Sequence, residues 1–344
     1  VKWFNVDVEK RTAVVAEIGI NHNGDISLAK EMIAAAKEAG ADAVKFQTLT
    51  PEHLFAPGVL DEKKVPFGDE EITLRELFER VSLSDEDFME LKEYAEKIGI
   101  YMFSTPFSLH DLNRIDSIGF DVYKVASPDI VFLPLLREMA HRGKPTILSV
   151  GTATLEEIDR AVSIFRERGV PLALLYCVSL YPPRAEEVHL RSMQVLMEVY
   201  PDIDVGFSDH TIGVHLPIVA ITLGAKIIEK HFTIDRSLPG PDQEVSMTPD
   251  ELRIISTAAK EVRVALGEGG WRKVEDREKE NAIAFRRGGI LKKNKRAGDI
   301  ISSDDVLFVR PAVGISPARF EDVVGRRMRR DKKAGEILRW EDLE

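Results

Sequence analysis

The chain has 344 residues, with 47 Lys and Arg against 58 Asp and Glu, a formal charge of −11 and 44% hydrophobic residues. That balance excludes a general nucleic-acid binder, yet leaves room for a local basic pocket on an acidic protein. No apolar run approaches the ~20 residues of a membrane span, and the lone Cys177, inside the run LALLYCV, reads as a buried structural thiol that has no internal disulfide partner.

With a first stretch, VKWFNVDVEKR, that has no apolar core, these features lead us to expect a cytoplasmic protein. The length suggests two domains.

The first two thirds alternate short β-branched runs with amphipathic helical stretches. TAVVAEIGI (12–20) reads as a strand, SLAKEMIAAAKEAG (27–40) as a helix with Ser27 as N-cap and Gly40 as stop, and AVKFQTL (43–49) as the next strand. The connection at 50–72 is unusually long and marks a lid over the strand-end face. SDEDFMELKEYAEKIG (84–99) is a helix opened by Ser84 and closed by Gly99. Strands are then expected at 101–107, 122–128, 146–152, 172–179, 204–210 and 226–233, separated by helices at 109–118, 131–142, 154–168, 188–199, 214–224 and 249–266. Short apolar runs each followed by a helix indicate parallel strands buried on both faces. Eight such units define a (β/α)8 TIM barrel over 1–268, and no Gly-x-Gly-x-x-Gly follows the first strand. Residues 269–283, glycine-rich and then charged, read as a linker. From 284 to 344 the chain becomes β-rich, and the phrases NKRAGDIISSDDV and DKKAGEILRWEDL echo each other, which predicts a small pseudo-symmetric domain.

In such a barrel, chemistry collects where the strands end. The strand ends deliver Glu17, Lys45, Gln47, Thr105, Lys124, Ser127, Ser149, Ser179, Tyr181, Ser208, His210, Glu229, Lys230 and His231, with Asp242 on the loop beyond. A single strand-end Ser or Thr more often caps the next helix. Lys45 and Lys124 are different, because they stand inside apolar strands where an unpaired ammonium is costly. Two lysines with hydroxyls at the mouth form an anion pocket suited to phosphate plus carboxylate. His210 and His231 end neighbouring strands, 21 residues apart. Parallel neighbours lie ~4.8 Å apart, so two imidazoles at matching heights can share Mn2+, Fe2+, Co2+ or Zn2+. His22, His53, His110, His141, His189 and His215 have no such pairing and read mostly as surface or cap residues. On residues alone, a Schiff-base aldolase using Lys124 or Lys230 and a non-catalytic binding module also stay open.

The phrases AEIGINHNG, AVKFQT, STPF, YKVAS, ILSVGT, SLYPP, GFSDHT, EKHFT and PGPD, in this order, resemble the sialic acid synthase (NeuB-like) family. The tail, with RPAVGISP, resembles that family's C-terminal SAF (antifreeze-like, β-clip) domain. The resemblance implies a cytoplasmic transferase that condenses phosphoenolpyruvate with the open-chain aldehyde of N-acetylmannosamine, giving N-acetylneuraminate and phosphate. It implies Mn2+, with Mg2+ or Co2+ as alternatives, held by His210 and His231. Lys45, Thr105, Lys124, Ser127, Ser149 and Ser208 would hold phosphoenolpyruvate. Gln47, Ser179, Tyr181 and Asp242 would face the sugar, and Glu17 would serve in acid–base work. Arg310 would reach the site of a partner in a domain-swapped homodimer whose SAF domain caps the partner's barrel, with no nucleic-acid or membrane partner. Two departures leave the sugar open among N-acetylmannosamine, its 6-phosphate and the diacetamido hexoses of legionaminic and pseudaminic acid. Ser179 stands where N-acetylneuraminate synthases carry Asn, and Pro128-Asp129 stands where many members carry Gly-Glu.

Overall fold

Eight apolar runs become eight parallel strands: β1 (Ala13–Gly19), β2 (Ala43–Thr48), β3 (Tyr101–Pro106), β4 (Tyr123–Val125), β5 (Thr146–Ser149), β6 (Leu172–Cys177), β7 (Asp204–Asp209) and β8 (Ile227–His231). Each pairs with the next in sequence, and β8 pairs with β1 to close the barrel, with Ile227 opposite Ala13 and His231 opposite Glu17. The computed structural model describes residues 2–267 and 269–344, which fall into two units, Val1–Gly267 and Glu268–Glu344.

The helices that follow the strands are α1 (Ile26–Glu38), α2 (Asp85–Ile98), α3 (Leu109–Ile118), α4 (Leu133–Arg142), α5 (Leu155–Arg166), α6 (Ser192–Val199), α7 (His215–Thr222) and α8 (Pro249–Leu266). Ser84 and Asp87 form the capping box that opens α2, and Gly99 ends it with φ of 76° in the left-handed region. The start of α1 corrects the expectation for Ser27. Asp25 is the N-cap, its carboxylate accepting from the amides of Ser27 and Leu28, so Ser27 lies inside the first turn.

Strand alternation divides the buried residues. Val14, Ala16, Ile18, Val44 and Phe46 face the helices, in one cluster with Met32, Ile33, Leu91 and Leu252. Ala13, Val15, Ala43, Phe103, Val122, Ile147, Ala173, Leu175 and Ile227 fill the lower interior. Trp3, Phe4, Val6 and Val8 belong to that same cluster, so the two-stranded N-terminal ribbon plugs the barrel floor. Gly206 is required there, because a Cβ would sit 2.2 Å from the Ile227 carbonyl oxygen and 2.8 Å from a Leu175 methyl.

The long connection after β2 is ordered. It holds helices Pro51–Leu54 and Pro57–Glu62, a hairpin of Lys64–Phe67 and Glu70–Thr73, and a helix Leu74–Val81 opened by a Thr73–Glu76 capping box. Leu60, Ile72, Leu74, Leu77, Phe78 and Val81 give it a core shared with Ile20 at the end of β1.

In the second unit, a helix Asp276–Phe285 occupies the latter half of the segment expected to be a linker and runs beyond it. Its charge hides the helical pattern, and all its described residues are at least partly exposed. Strands Gly288–Leu291 and Val306–Val309 pair antiparallel over a core of Leu291, Ile301, Val306, Ile315, Val323, Met328, Leu338 and Leu343. The sequence echo is a structural one. Lys295 and Lys332 exchange backbone hydrogen bonds of 2.8 Å in both directions. Buried Asp305 holds Lys293 and Lys295, at 2.8 and 2.5 Å. In the second copy, buried Asp342 holds Arg330 and, at 2.6 Å, Lys332. Both aspartates are held below the ordinary carboxylate value. Burial opposes that shift, but the lysines at Asp305, and Lys332 with Arg330 at Asp342, outweigh it.

Candidate active site

One step above the apolar floor the barrel interior turns polar. Glu17, Lys45, Thr105, Lys124, Ser149 and Glu229 are all buried around a cavity of about 80 Å³ at the strand ends. Gln47, Ser127, Cys177, Tyr181, Ser208, His210 and His231 also line it, with Phe107, Ala126 and Pro128. Two larger clefts, about 510 and 610 Å³, open at the other rim. Their cations are already engaged: Arg11 by Asp42, Lys92 by Glu96, Arg166 by Asp202, Lys226 by Glu9, and Lys37 by the Gly99 carbonyl. The mouth is where unlike charges converge with room between them.

Lys45 Nζ lies 2.9 Å from Glu17 Oε2 and 3.9 Å from Glu229 Oε2, and donates to Thr105 Oγ1 at 3.1 Å. Lys124 Nζ donates to Ser149 Oγ at 2.7 Å and to the Val125 carbonyl at 3.0 Å, and lies 3.6 Å from Glu229 Oε1. Ser208 Oγ donates to Glu229 at 3.1 Å. The two ammonium groups respond differently. Burial pulls Lys45 down, but Glu17 and Glu229 outweigh it and hold its pKa above the ordinary lysine value. Burial also pulls Lys124 down; Glu229 offsets only part of this and the charge on Lys45 adds to it, so its pKa falls. Burial alone would raise Glu229, yet Lys124 and Lys45 hold it below the ordinary glutamate value. Ser127 accepts from the Gly151 amide at 3.0 Å. Gln47 donates to Glu17 Oε1 at 3.3 Å.

His210 and His231 meet, with ring centroids 5.5 Å apart. His210 Nδ1 sits 3.0 Å from the Val178 carbonyl, which places the proton on Nδ1 and leaves Nε2 as a lone-pair donor. Burial, with His231 beside it, pushes His210 down to about 3, so it stays neutral. His231 Nδ1 is buried without a hydrogen-bond partner and lies 3.9 Å from Asp242 Oδ2. Two neighbouring imidazoles with nitrogens not engaged in hydrogen bonds suit a divalent ion that completes its shell with oxygen ligands. The described residues contain no cluster of three or more His, Cys, Asp or Glu arranged to hold a metal.

Tyr181 is half exposed at the rim, its ring centroid 4.0 Å from that of His210. Ser179 Oγ is buried and unpartnered. A Cβ on Gly151 would come within 2.4 Å of Ser179 Oγ, so these two strand-end loops touch. Arg310 belongs to the second unit, where it is exposed and its guanidinium lies 5.9 Å from the Phe285 ring.

Three features of the mouth escaped the reading of the sequence. Glu229, in the middle of β8, had no role assigned, yet it bridges both lysines. Of the histidines expected to be mostly surface or cap residues, five are exposed and His22 is the exception: it is buried, accepts the Gly24 amide at 3.1 Å and lies tilted against Phe46 with ring centroids 5.6 Å apart. Burial pushes it down to about 4. Asn21 is also buried, and donates to the Phe232 carbonyl and to Ser246, both at 2.9 Å, tying the loop after β8 to the end of β1. The aldolase alternative through Lys230 has a structural objection. Lys230 points toward the helices, paired with Asp209 at 2.7 Å, and is absent from the cavity wall.

An eight-stranded parallel barrel whose mouth gathers two lysines, two glutamates and two histidines belongs to the class of barrel enzymes that handle anionic substrates. The chain belongs to the NeuB family, whose profile matches residues 32–270, and a SAF domain matches residues 290–344. This is a family of phosphoenolpyruvate-dependent nonulosonic acid synthases. The N,N'-diacetyllegionaminic acid synthase of Campylobacter jejuni is 36% identical over 338 residues, spanning 96% of this chain and 99% of that protein. The pseudaminic acid synthase of Helicobacter pylori is 38% identical over 338 residues, 96% of this chain and 97% of that protein. A crystal structure of N-acetylneuraminic acid (sialic acid) synthetase from Leptospira borgpetersenii, in complex with citrate, superposes with a TM-score of 0.69 at 37% identity, covering 79% of this chain and 90% of that one. No helix among the described residues is long and apolar enough to cross a membrane.

Proposed function

We propose that the chain joins phosphoenolpyruvate to the open-chain aldehyde of an N-acyl amino sugar at the barrel mouth, releasing phosphate and leaving a 2-keto acid. We further propose that the sugar is a diacetamido hexose, in preference to N-acetylmannosamine or its 6-phosphate. The observation that carries the reaction is the buried set of Lys45, Lys124, Glu17 and Glu229 beside the histidine pair. The choice of sugar is supported by relatives matched over nearly their whole length, one of which is named for an N,N'-diacetyl product. Ser179 agrees with it, since it stands where N-acetylneuraminate synthases carry Asn.

Lys124 with Ser149, and Lys45 with Thr105, present cations and hydroxyl donors to the phosphate and carboxylate; Ser127 and Ser208 flank them. When bound by the free nitrogens of His210 and His231, a divalent ion such as Mn2+, with Mg2+ or Co2+ as alternatives, supplies Lewis-acid polarisation of a carbonyl oxygen. Gln47, Ser179, Tyr181 and Asp242 orient the sugar. The methylene carbon of phosphoenolpyruvate bonds to the aldehyde carbon, and its double-bond electrons form that bond. The aldehyde oxygen takes a proton and becomes a hydroxyl, with Glu17 as the proton-handling group nearest Lys45. Water adds its oxygen to C2 and loses a proton. The C2–O bond to phosphate then breaks, leaving a ketone and inorganic phosphate. Fixed charges that match the developing ones supply the stabilisation without reorganisation.

A domain-swapped homodimer in the cytoplasm, with Arg310 serving the partner's barrel, is part of the same proposal. Charge supports it: residues 1–267 hold 28 Lys and Arg against 43 Asp and Glu, while 268–344 hold 19 against 15. The test is phosphate release from phosphoenolpyruvate with Mn2+ across N-acetylmannosamine, its 6-phosphate and the diacetamido hexoses. Release that needs a diacetamido sugar and stops in EDTA is expected. Release with N-acetylmannosamine alone would overturn the choice of sugar, and no release with any sugar would overturn the reaction.

A further inference from the structure

Asp209 and Lys230 form an ion pair that the chemistry of the mouth does not use. Their Cα atoms are partners across β7 and β8, and their charged atoms are 2.7 Å apart. Both side chains are about 1% exposed, and they lie on the helix side of the strands, in phase with the core residues Phe207 and Ile228. Neither lines the mouth cavity. A buried ion pair brings no gain in stability over a well-packed apolar pair, so its presence calls for another account.

The neighbours of the pair supply one. Asp209 and Thr211 flank His210, and Lys230 immediately precedes His231. Asp209 accepts from the Thr211 amide at 3.0 Å and from its hydroxyl at 3.1 Å. Lys230 donates to the Thr211 carbonyl as well as to Asp209. The residues on both sides of His210 are therefore held by the residue next to His231. A slip of one residue between parallel strands turns every side chain to the other face. Here it would send one imidazole into the helix layer. An apolar pair tolerates such a slip far better than a charge pair, which has only one satisfied register.

We propose that Asp209 and Lys230, through Thr211, are positioning residues that lock β7 and β8 in the register that presents both imidazoles to one divalent ion. The proposal rests on the reading of His210 and His231 as metal ligands. It assigns the pair no contact with substrate or ion.

The test is Mn2+ titration by calorimetry of the full chain stripped of metal, without substrate. The proteins compared are wild type, His231→Ala, the apolar double variant Asp209→Leu/Lys230→Met, and Thr211→Val. The double variant is expected to fold, judged by circular dichroism, and to bind Mn2+ roughly 10- to 100-fold more weakly, as changes to supporting groups around a metal do. Its KM for phosphoenolpyruvate should stay within about twofold, because Lys45 and Lys124 are untouched, while kcat falls. Thr211→Val, which removes only the hydroxyl, is expected to weaken Mn2+ about threefold. A folded double variant that binds Mn2+ as wild type does would overturn the positioning role. Should the double variant not fold, wild-type affinity in Thr211→Val overturns it instead. Wild-type protein whose Mn2+ binding is absent, or unaffected by His231→Ala, would overturn the metal site itself and the positioning role with it.

Discussion

The lower and upper halves of the barrel interior come from the same eight strands, one pleat apart, and they differ completely in chemistry. Moving two residues up each strand replaces Val15 by Glu17, Ala43 by Lys45, Phe103 by Thr105 and Val122 by Lys124. On the other four it replaces Ile147 by Ser149, Leu175 by Cys177, Gly206 by Ser208 and Ile227 by Glu229. Because successive side chains on a strand alternate faces, a step of two keeps the direction and changes only the height. The lower ring is sealed from below by Trp3 and Phe4 and has no group that needs a partner. The upper ring sets its buried charges against one another, Lys45 with Glu17 and Thr105 and Lys124 with Glu229 and Ser149, and leaves Glu17 Oε2 and Glu229 Oε2 without a hydrogen bond. The comparison teaches that this barrel needs only one layer of side chains for a site, and that the layer below is the rigid floor against which it is held.

Mutations should separate the two layers. The largest effect is expected from Phe103→Ala, in the floor. It should lower stability by roughly 3–5 kcal/mol in urea denaturation, while kcat/KM measured well below the transition changes less than about threefold. Lys124→Ala, one ring higher on β4, should do the reverse. We expect kcat/KM for phosphoenolpyruvate to fall by on the order of 10²–10³-fold, chiefly through KM, with a smaller change in stability. If Lys124→Ala left KM unchanged, the anion pocket would be wrong; if Phe103→Ala cost activity as much as stability, the floor would not be inert. Gly206→Ala is an intermediate case, since the added methyl collides with the Ile227 backbone directly beneath Glu229. It should cost about 1–3 kcal/mol and also lower kcat, because β8 carries the collision up to the mouth; a loss of stability alone would argue that the layers are independent.

A further effect concerns pH. His22 is held near 4 when folded, chiefly by burial, and has an ordinary value of about 6.5 when unfolded. Between these values the unfolded chain binds one more proton than the folded one. Stability should therefore rise with pH by up to about 1.4 kcal/mol per unit until pH ~6.5, and this contribution is constant above it. His22→Gln, which keeps an acceptor for the Gly24 amide, should remove that slope. Denaturation midpoints followed from pH 5 to 8 decide this: parallel curves for the two proteins would mean that His22 is not the buried neutral histidine described.

The barrel was readable because a strand buried on both faces leaves an unbroken apolar run, and each run was followed by a helix with its own start or stop residue. Lys45 and Lys124 announced the mouth by interrupting such runs, and His210 and His231 by closing two of them in succession. What stayed hidden depends on contacts between distant segments. An acidic residue two places before a strand-end histidine looks like a solvated end, so the bridge from Glu229 to both lysines shows only once β8 lies across the barrel from β4. His22 sits in GINHNGD, whose Asn and Gly residues signal an exposed turn; in the fold its neighbour Gly24 lies against Arg80 and its neighbours Asn21 and Asn23 bond to the loop after β8, while its own ring packs on Phe46. Asp25 and Ser27 are both good caps, and the carboxylate, which reaches two amides, takes the position. Helix Asp276–Phe285 has no buried stripe, so periodicity could not reveal it.

The most direct test of the account uses phosphoenolpyruvate labelled with 18O at the oxygen bridging C2 and phosphorus, turned over with Mn2+ and the best sugar acceptor. Attack by the methylene carbon followed by water addition at C2 predicts that all the label leaves in inorganic phosphate, by C–O cleavage. Label retained in the keto acid would mean that phosphorus is the centre attacked, and would contradict the assignment of the upper ring as a carbon–carbon bond-forming site.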